Sequence, residues 1–178
     1  MPPTMESQAI GHDLDEEGLT TRARALGSLL VGGEVLLLEG PMGAGKTTFT
    51  RALAEGMGAL RPERVTSPTF ALCLVHPGQP TLVHLDLYRL DGDPGALDPG
   101  GPAGAAAESL GLESDELVGP DRVVVVEWPD RWASPPTDHL RIIIDRPQGI
   151  LSRRSLRAVA GGPRSAELLG RWIASNPA

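Results

Sequence analysis

The sequence predicts an α/β fold: one domain with a central, mostly parallel sheet flanked by helices, and antiparallel strands at one side. Three observations carry that reading. Residues 34–39 (Glu-Val-Leu-Leu-Leu-Glu) are too short for a helix, bounded by glycines and apolar without alternation, as in a strand covered on both faces. The glycine-rich segment Gly40 to Thr47 follows at once, and residues 47–57 then show helical spacing, with Phe49, Leu53 and Met57 on one stripe before Gly58. A second unalternating run, Val123 to Val126, supplies another strand of the same buried kind.

The remaining elements are taken in chain order. Residues 1–14 are expected to be loose. Residues 15–30 read as a helix whose stripe is Leu19, Ala23, Leu26, Leu29 and Leu30, ended by Gly32-Gly33. Residues 65–75 run from Val-Thr-Ser-Pro-Thr-Phe into an apolar strand, and the turn His76-Pro77-Gly78-Gln79-Pro80 joins it to a second strand over 81–90. In that strand Leu82, His84, Asp86 and Tyr88 alternate with Val83, Leu85 and Leu87, which predicts one polar or functional side and one core side.

Residues 91–104 shift to Gly, Pro, Asp and Ala and are expected to be a mobile insertion, followed by a short helix over 105–112. Residues 140–146 and 153–160 suggest a final strand pair. Residues 165–174 suggest a closing helix with Leu168, Leu169, Trp172 and Ile173 inward.

A chain of 178 residues, 40% hydrophobic, suits one core, so residues 1–178 are expected to be a single domain. With one cysteine, Cys73, the sequence has no internal disulfide framework, which suits a reducing cytoplasm; packing is its expected role. No apolar run approaches the ~20 residues that span a bilayer, and the expected location is cytoplasmic with no membrane contact. The net charge of -7 is uneven: residues 1–140 hold 21 acids against 9 bases, and residues 141–178 hold 7 arginines against 2 acids. That basic end is either a solvated face or a docking surface for an acidic protein or RNA phosphates.

The chemistry concentrates around Lys46, the one lysine among fifteen arginines. A chain that uses arginine elsewhere keeps lysine where a compact ammonium cannot be exchanged for a planar guanidinium. Gly40 to Thr47 fits G-x-x-x-x-G-K-[ST] in full. In such a loop the glycines turn backbone N–H groups toward phosphate, the lysine reaches the terminal phosphates and the hydroxyl of Thr47 serves Mg2+. The fold class is therefore a single P-loop NTPase domain.

Such a site also needs a carboxylate at the end of a neighbouring strand. Asp86 and Glu127 each end one; either suits the metal while the other orients water. Thr66, Ser67 and Thr69 around Pro68 form either a hydroxyl-rich turn that caps a strand, the reading favoured by these residues alone, or a hydroxyl-bearing switch. His84 and Tyr88 share the Asp86 side, Trp128 covers the site or packs, and residues 15–21 flank the base or cap a helix.

Taken together, Gly40 to Thr48, Val65 to Phe70 (V-T-S-P-T-F), His84 to Leu90 (H-L-D-L-Y-R-L) and Glu127-Trp128, in this order, resemble the TsaE (YjeE) family over residues 20–144. The resemblance implies an ATPase that uses Mg2+ and assists TsaB and TsaD homologues in making threonylcarbamoyladenosine beside the anticodon of tRNA, the tRNA being contacted through the partners. It places nucleotide phosphates on Met42, Gly43, Ala44, Gly45, Lys46, Thr47 and Thr48, Mg2+ on Thr47, a Walker-B-like role on Asp86, metal or water activation on Glu127, and a switch on Thr66 to Thr69. Lys46, Asp86 and Glu127 are the catalytic candidates, Thr47, Glu127 and Asp86 the metal candidates, with Thr66 and Trp128 at the nucleotide.

Pro41 stands where the family usually has an acid, and the 91–104 insertion is longer and richer in glycine than expected. Two other functions compete: a small-molecule kinase, disfavoured because residues 90–121 contain no Arg or Lys for a lid, and a non-hydrolytic ATP-dependent switch.

Overall fold

The computed structural model describes residues 6–68, 73–88, 117–132, 135–147 and 149–175. The elements in chain order are β1 (Gln8–Leu14), α1 (Glu16–Gly27), β2 (Val35–Glu39), α2 (Lys46–Gly56), β3 (Cys73–His76), β4 (Thr81–Asp86), β5 (Arg122–Glu127), β6 (Leu140–Asp145), β7 (Arg154–Ala160) and α3 (Pro163–Ser175). The strands form one seven-stranded sheet in the order β1-β7-β6-β2-β5-β4-β3.

The four central strands β6, β2, β5 and β4 run parallel. Antiparallel pairs lie at both edges, β3 on β4 and β7 and β1 beyond β6, whereas the sequence predicts them at one side. The difference comes from strand order: the β3–β4 hairpin lies beyond β5, whereas the β6–β7 pair lies on the other side of β2. Gln8–Leu14 are not loose but form β1, which pairs with β7 through two register irregularities. Arg153 ties the strand down by donating from Nη1 to the carbonyl of Asp13 at 2.9 Å. A strand held by pairing with a distant segment needs little periodicity of its own, and this one buries only Ile10.

The unalternating runs behave as their composition requires. Leu36 and Leu38 of β2 and Val123 and Val125 of β5 point to one core cluster with α1, α2 and α3. Val35, Leu37, Val124 and Val126 point to the other, with Val83, Leu85 and Leu87 of β4. In β4 the alternation distinguishes chemistry rather than exposure, because His84 and Asp86 are as deeply buried as their apolar neighbours.

Asp15 caps α1 by accepting from the Gly18 N–H at 2.8 Å, and Leu19, Ala23 and Leu26 are buried as predicted. α1 packs on α2 where Gly27 faces the Leu53 carbonyl and Gly56 faces that of Arg24; a side chain at either glycine would meet backbone. α3 buries Leu168, Leu169 and Trp172, but Ile173, expected inward, is 41% exposed. Trp172 occupies the contact, its ring in a T-shaped pair with Phe49 at 6.3 Å between centroids and its Nε1–H on the Arg22 carbonyl at 2.9 Å.

Residues 91–104 and 105–112, and residues 69–72 before β3, lie outside the described residues. Cys73 is a free, half-buried thiol whose pKa burial raises, as expected of a packing residue. Among the described residues no helix is long and apolar enough to cross a membrane.

Candidate active site

Parallel strands end together, and the ends of β2, β5 and β4 therefore bring their following residues to one rim of the sheet. β2 lies between β6 and β5, and the chain leaves it through Gly40 to Gly45 into the N-terminus of α2. Asp86 and Glu127 are register partners at the last positions of β4 and β5, and Leu38 of β2 is level with Glu127. The spacing of two carboxylates and a glycine loop at one edge follows from that register alone.

The loop conformation depends on glycine at Gly40, Gly43 and Gly45, all at positive φ. Gly45, the N-cap of α2, has φ 106°, a left-handed value that turns the chain into the helix without a side-chain cap. Gly40 passes so close to the Ile144 carbonyl of β6 that a Cβ there would meet it. Pro41 contributes a carbonyl rather than a lost N–H: its oxygen accepts from Ala44 N at 3.1 Å and from Lys46 Nζ at 3.1 Å.

Lys46 is only 5% exposed. Its ammonium donates to the Gly40 carbonyl at 2.8 Å and lies 4.1 Å from the centroid of the Trp128 ring. Burial lowers its pKa from the model-compound 10.5, against the opposing pull of Glu127, Asp86 and Asp130. Trp128 reaches this position from a left-handed backbone, φ 58° and ψ 53°, which places its ring 5.0 Å from that of Tyr88 as well. A non-glycine residue in that region costs of order 1–3 kcal/mol, offset here by the packing of the indole over the loop.

Thr47 Oγ1 donates to Glu127 Oε1 at 3.1 Å, and His84 Nε2 lies 2.9 Å from that same oxygen. Asp86 accepts from the Ser67 hydroxyl at 2.5 Å on one oxygen and from the Tyr88 N–H at 3.0 Å on the other. Both carboxylates are nearly inaccessible, 2% and 3% exposed.

Together these groups border a cleft of about 540 Å³ lined by Met42, Gly43, Gly45, Lys46, Thr47 and Thr48 of the loop and helix, by Ser67, Asp86, Tyr88, Glu127 and Trp128, and by Glu16 and Arg154. Ala44, predicted with the loop, is fully buried beneath it. Thr66 is exposed and outside this lining, while its neighbour Ser67 meets Asp86; Thr69 lies outside the described residues.

Two arginines of the basic C-terminal segment are at the site, a role sequence reasoning did not assign them. Arg154 donates from Nε to the Ala44 carbonyl at 2.9 Å, and Arg146 from Nη1 to that of Gly43 at 3.3 Å. Their separation from the loop by about a hundred residues leaves no local signal. Glu16, in the 15–21 region considered for the base, does line the cleft.

The profile of the family described as "Threonylcarbamoyl adenosine biosynthesis protein TsaE" matches residues 14–155. The chain belongs to the TsaE family. Among similar TsaE proteins, the "tRNA threonylcarbamoyladenosine biosynthesis protein TsaE" of Streptomyces coelicolor is 43% identical over 130 residues, covering 71% of this chain and 78% of that protein. The protein of the same name from Mycobacterium tuberculosis H37Rv is 42% identical over 117 residues, and the match covers 64% of this chain and 63% of the relative. The crystal structure of Bacillus subtilis YdiB superposes with a TM-score of 0.69 at 26% identity, covering 96% of this chain and 97% of that one. The α/β sheet with its parallel centre is thus shared with a solved structure.

Among the described residues no three or more His, Cys, Asp and Glu side chains form a group that could hold a metal alone. The donors at the cleft are instead a hydroxyl and two carboxylates, hard oxygens that suit Mg2+, an ion usually bound by one or two carboxylates together with substrate phosphates.

Proposed function

We propose that the protein is a Mg-dependent ATPase that binds and hydrolyses ATP to support a TsaB–TsaD complex in forming threonylcarbamoyladenosine next to the anticodon of tRNA. The observation that carries the ATPase part is the hydrogen bond between Thr47 and Glu127, which joins the phosphate loop to a strand-end carboxylate. Family membership and the names of the relatives support the biosynthetic part.

In this reading the N–H groups of Met42 to Thr48 bind the phosphates. Lys46 exchanges its contacts with the Gly40 and Pro41 carbonyls for the terminal phosphates, and the buried ammonium gains a charged partner in place of two neutral ones. Thr47, Glu127 and Asp86 would hold Mg2+, which when bound supplies positive charge against that developing on the transferred phosphoryl group. Asp86 and Glu127 both line the cleft, one serving the metal directly while the other orients the attacking water, and Ser67 on Asp86 links the 66–69 segment to the site. Trp128 and Tyr88 shield one side from solvent. The kinship of the partners to TsaB and TsaD, and indirect contact with tRNA, rest on the family.

Phosphate release from Mg·ATP, by the chain alone and with TsaB and TsaD homologues, tests activity and partner dependence together. Glu127→Ala is expected to lose hydrolysis about 100-fold or more, and tRNA modification by the reconstituted set with it. Modification continuing at full rate while hydrolysis is lost makes turnover dispensable and leaves a nucleotide switch. Phosphate appearing on an added metabolite instead of in water identifies a kinase.

A further inference from the structure

We propose that His84 is a positioning residue for hydrolysis: its Nε2–H holds Oε1 of Glu127, so that the other carboxylate oxygen is the one presented to the nucleotide cleft. This rests on the ATPase reading and adds to it a side chain that does not line the cleft.

His84 lies in the middle of β4 between Val83 and Leu85, level with Val125 of β5, and is fully buried. Its Nε2 is 2.9 Å from Glu127 Oε1, and the Thr47 hydroxyl is 3.1 Å from that oxygen. Oε1 accepts from the Thr47 hydroxyl, and in the proposed contact it accepts from Nε2–H as well. One oxygen of Glu127 is thus held from two directions, by a strand of the sheet and by the first turn of α2. A carboxylate fixed at one oxygen has its other oxygen aimed as well, and Glu127 borders the cleft.

The opposite ring nitrogen carries the second argument. His84 Nδ1 is buried with no hydrogen-bond partner among the described residues. A buried polar atom without a partner bears its desolvation cost unrelieved, and an aliphatic side chain among these valines and leucines would avoid it. What the imidazole supplies that a leucine cannot is the bond to Glu127. His76 of β3, whose ring centroid is 6.4 Å from that of His84, makes no such contact and does not duplicate it.

The test compares His84→Phe, which keeps a ring but has no donor, with His84→Gln, whose amide nitrogen donates from about the reach of Nε2. For the full chain with its partner set, His84→Phe should lower kcat about 10- to 100-fold. The Kd for Mg·ADP should stay within about twofold, and His84→Gln should recover most of the rate. Wild-type kcat in His84→Phe overturns the proposal, as does equal loss in both variants at unchanged melting temperature. If His84→Phe does not fold, His84→Asn, whose shorter amide falls short of Glu127, takes its place against His84→Gln.

Nitrogen-15 NMR of the histidines gives a readout independent of turnover. A neutral His84 ring protonated at Nε2 and bare at Nδ1 supports the contact, and the reverse tautomer removes it. Absence of phosphate release from the wild type refutes the ATPase reading itself, and the tautomer then still decides whether His84 holds Glu127.

Discussion

At the scale of the residue, Lys46 is closely constrained. It is a buried cation held by two carbonyls and an indole, and burial still wins, lowering its pKa. The charged form is therefore disfavoured by folding. A lysine whose folded pKa lies below 10.5 leaves the unfolded chain binding more protons, so its contribution to stability rises with pH between the lowered value and 10.5. Replacing it by Met should raise the melting temperature of the free chain at neutral pH while abolishing nucleotide binding, as thermal melts with and without Mg·ATP would read. Lys46→Arg should also lose phosphate release, by about 100-fold, because a planar guanidinium does not fit between the Gly40 and Pro41 carbonyls and the Trp128 face. Retained wild-type turnover in Lys46→Arg would refute that fit.

At the scale of the element, helix ends decide where the site stands. α2 begins at the glycine loop with no side-chain cap, so its first N–H groups remain available to an anion. α3 is the opposite case. Asp138 accepts from the N–H groups of Arg164 at 3.0 Å and Ser165 at 2.9 Å, and Ser165 Oγ accepts from Gly162 N. Desolvation raises the Asp138 pKa, but the bonds from Ser165 and Arg164 outweigh it and hold the carboxyl below its ordinary 3.8. A depressed carboxylate stabilises the fold above that value, and the contribution is lost as pH falls through the folded pKa. Asp138→Ala should cost about 0.5–2 kcal/mol. In a melt near pH 7 this lowers Tm by roughly 2–4 °C per kcal/mol, and the deficit should shrink in acid. An equal deficit at pH 7 and pH 3 would show that the cap is not the cause.

At the scale of the whole molecule, the basic C-terminal segment contributes Arg146 and Arg154 to the candidate site. Three parallel strands deliver the loop, Asp86 and Glu127 to one rim, and β7 returns from beyond β6 to place Arg154 on the carbonyl of Ala44. Arg154 supports the loop from outside and lines the cleft. Arg154→Ala is expected to weaken Mg·ATP binding about tenfold, or ~1.4 kcal/mol, and Arg154→Lys to recover little because lysine lacks the guanidinium fork. Isothermal titration that finds both variants unchanged would make the contact incidental. The sum of charge in a segment, seven arginines against two acids, is thus a poor guide to its partner, since two of those arginines answer to loop carbonyls of the same chain.

The glycine loop, the strand before it, the helix after it and the two strand-end carboxylates were legible in the sequence, because each is written in contiguous residues: a glycine pattern, an apolar run, a 3.6-residue stripe. Residues 8–14 were not, since β1 exists through pairing with β7, and its own periodicity is weak. Nor was the choice of Ser67 over Thr66 for Asp86, which turns on one step of a loop backbone. The bond of His84 to Glu127 and that of Arg154 to Ala44 join residues 43 and 110 positions apart. Local sequence carries propensity and motif, whereas which buried polar atoms meet is decided by strand order and register, and those depend on every element packing at once.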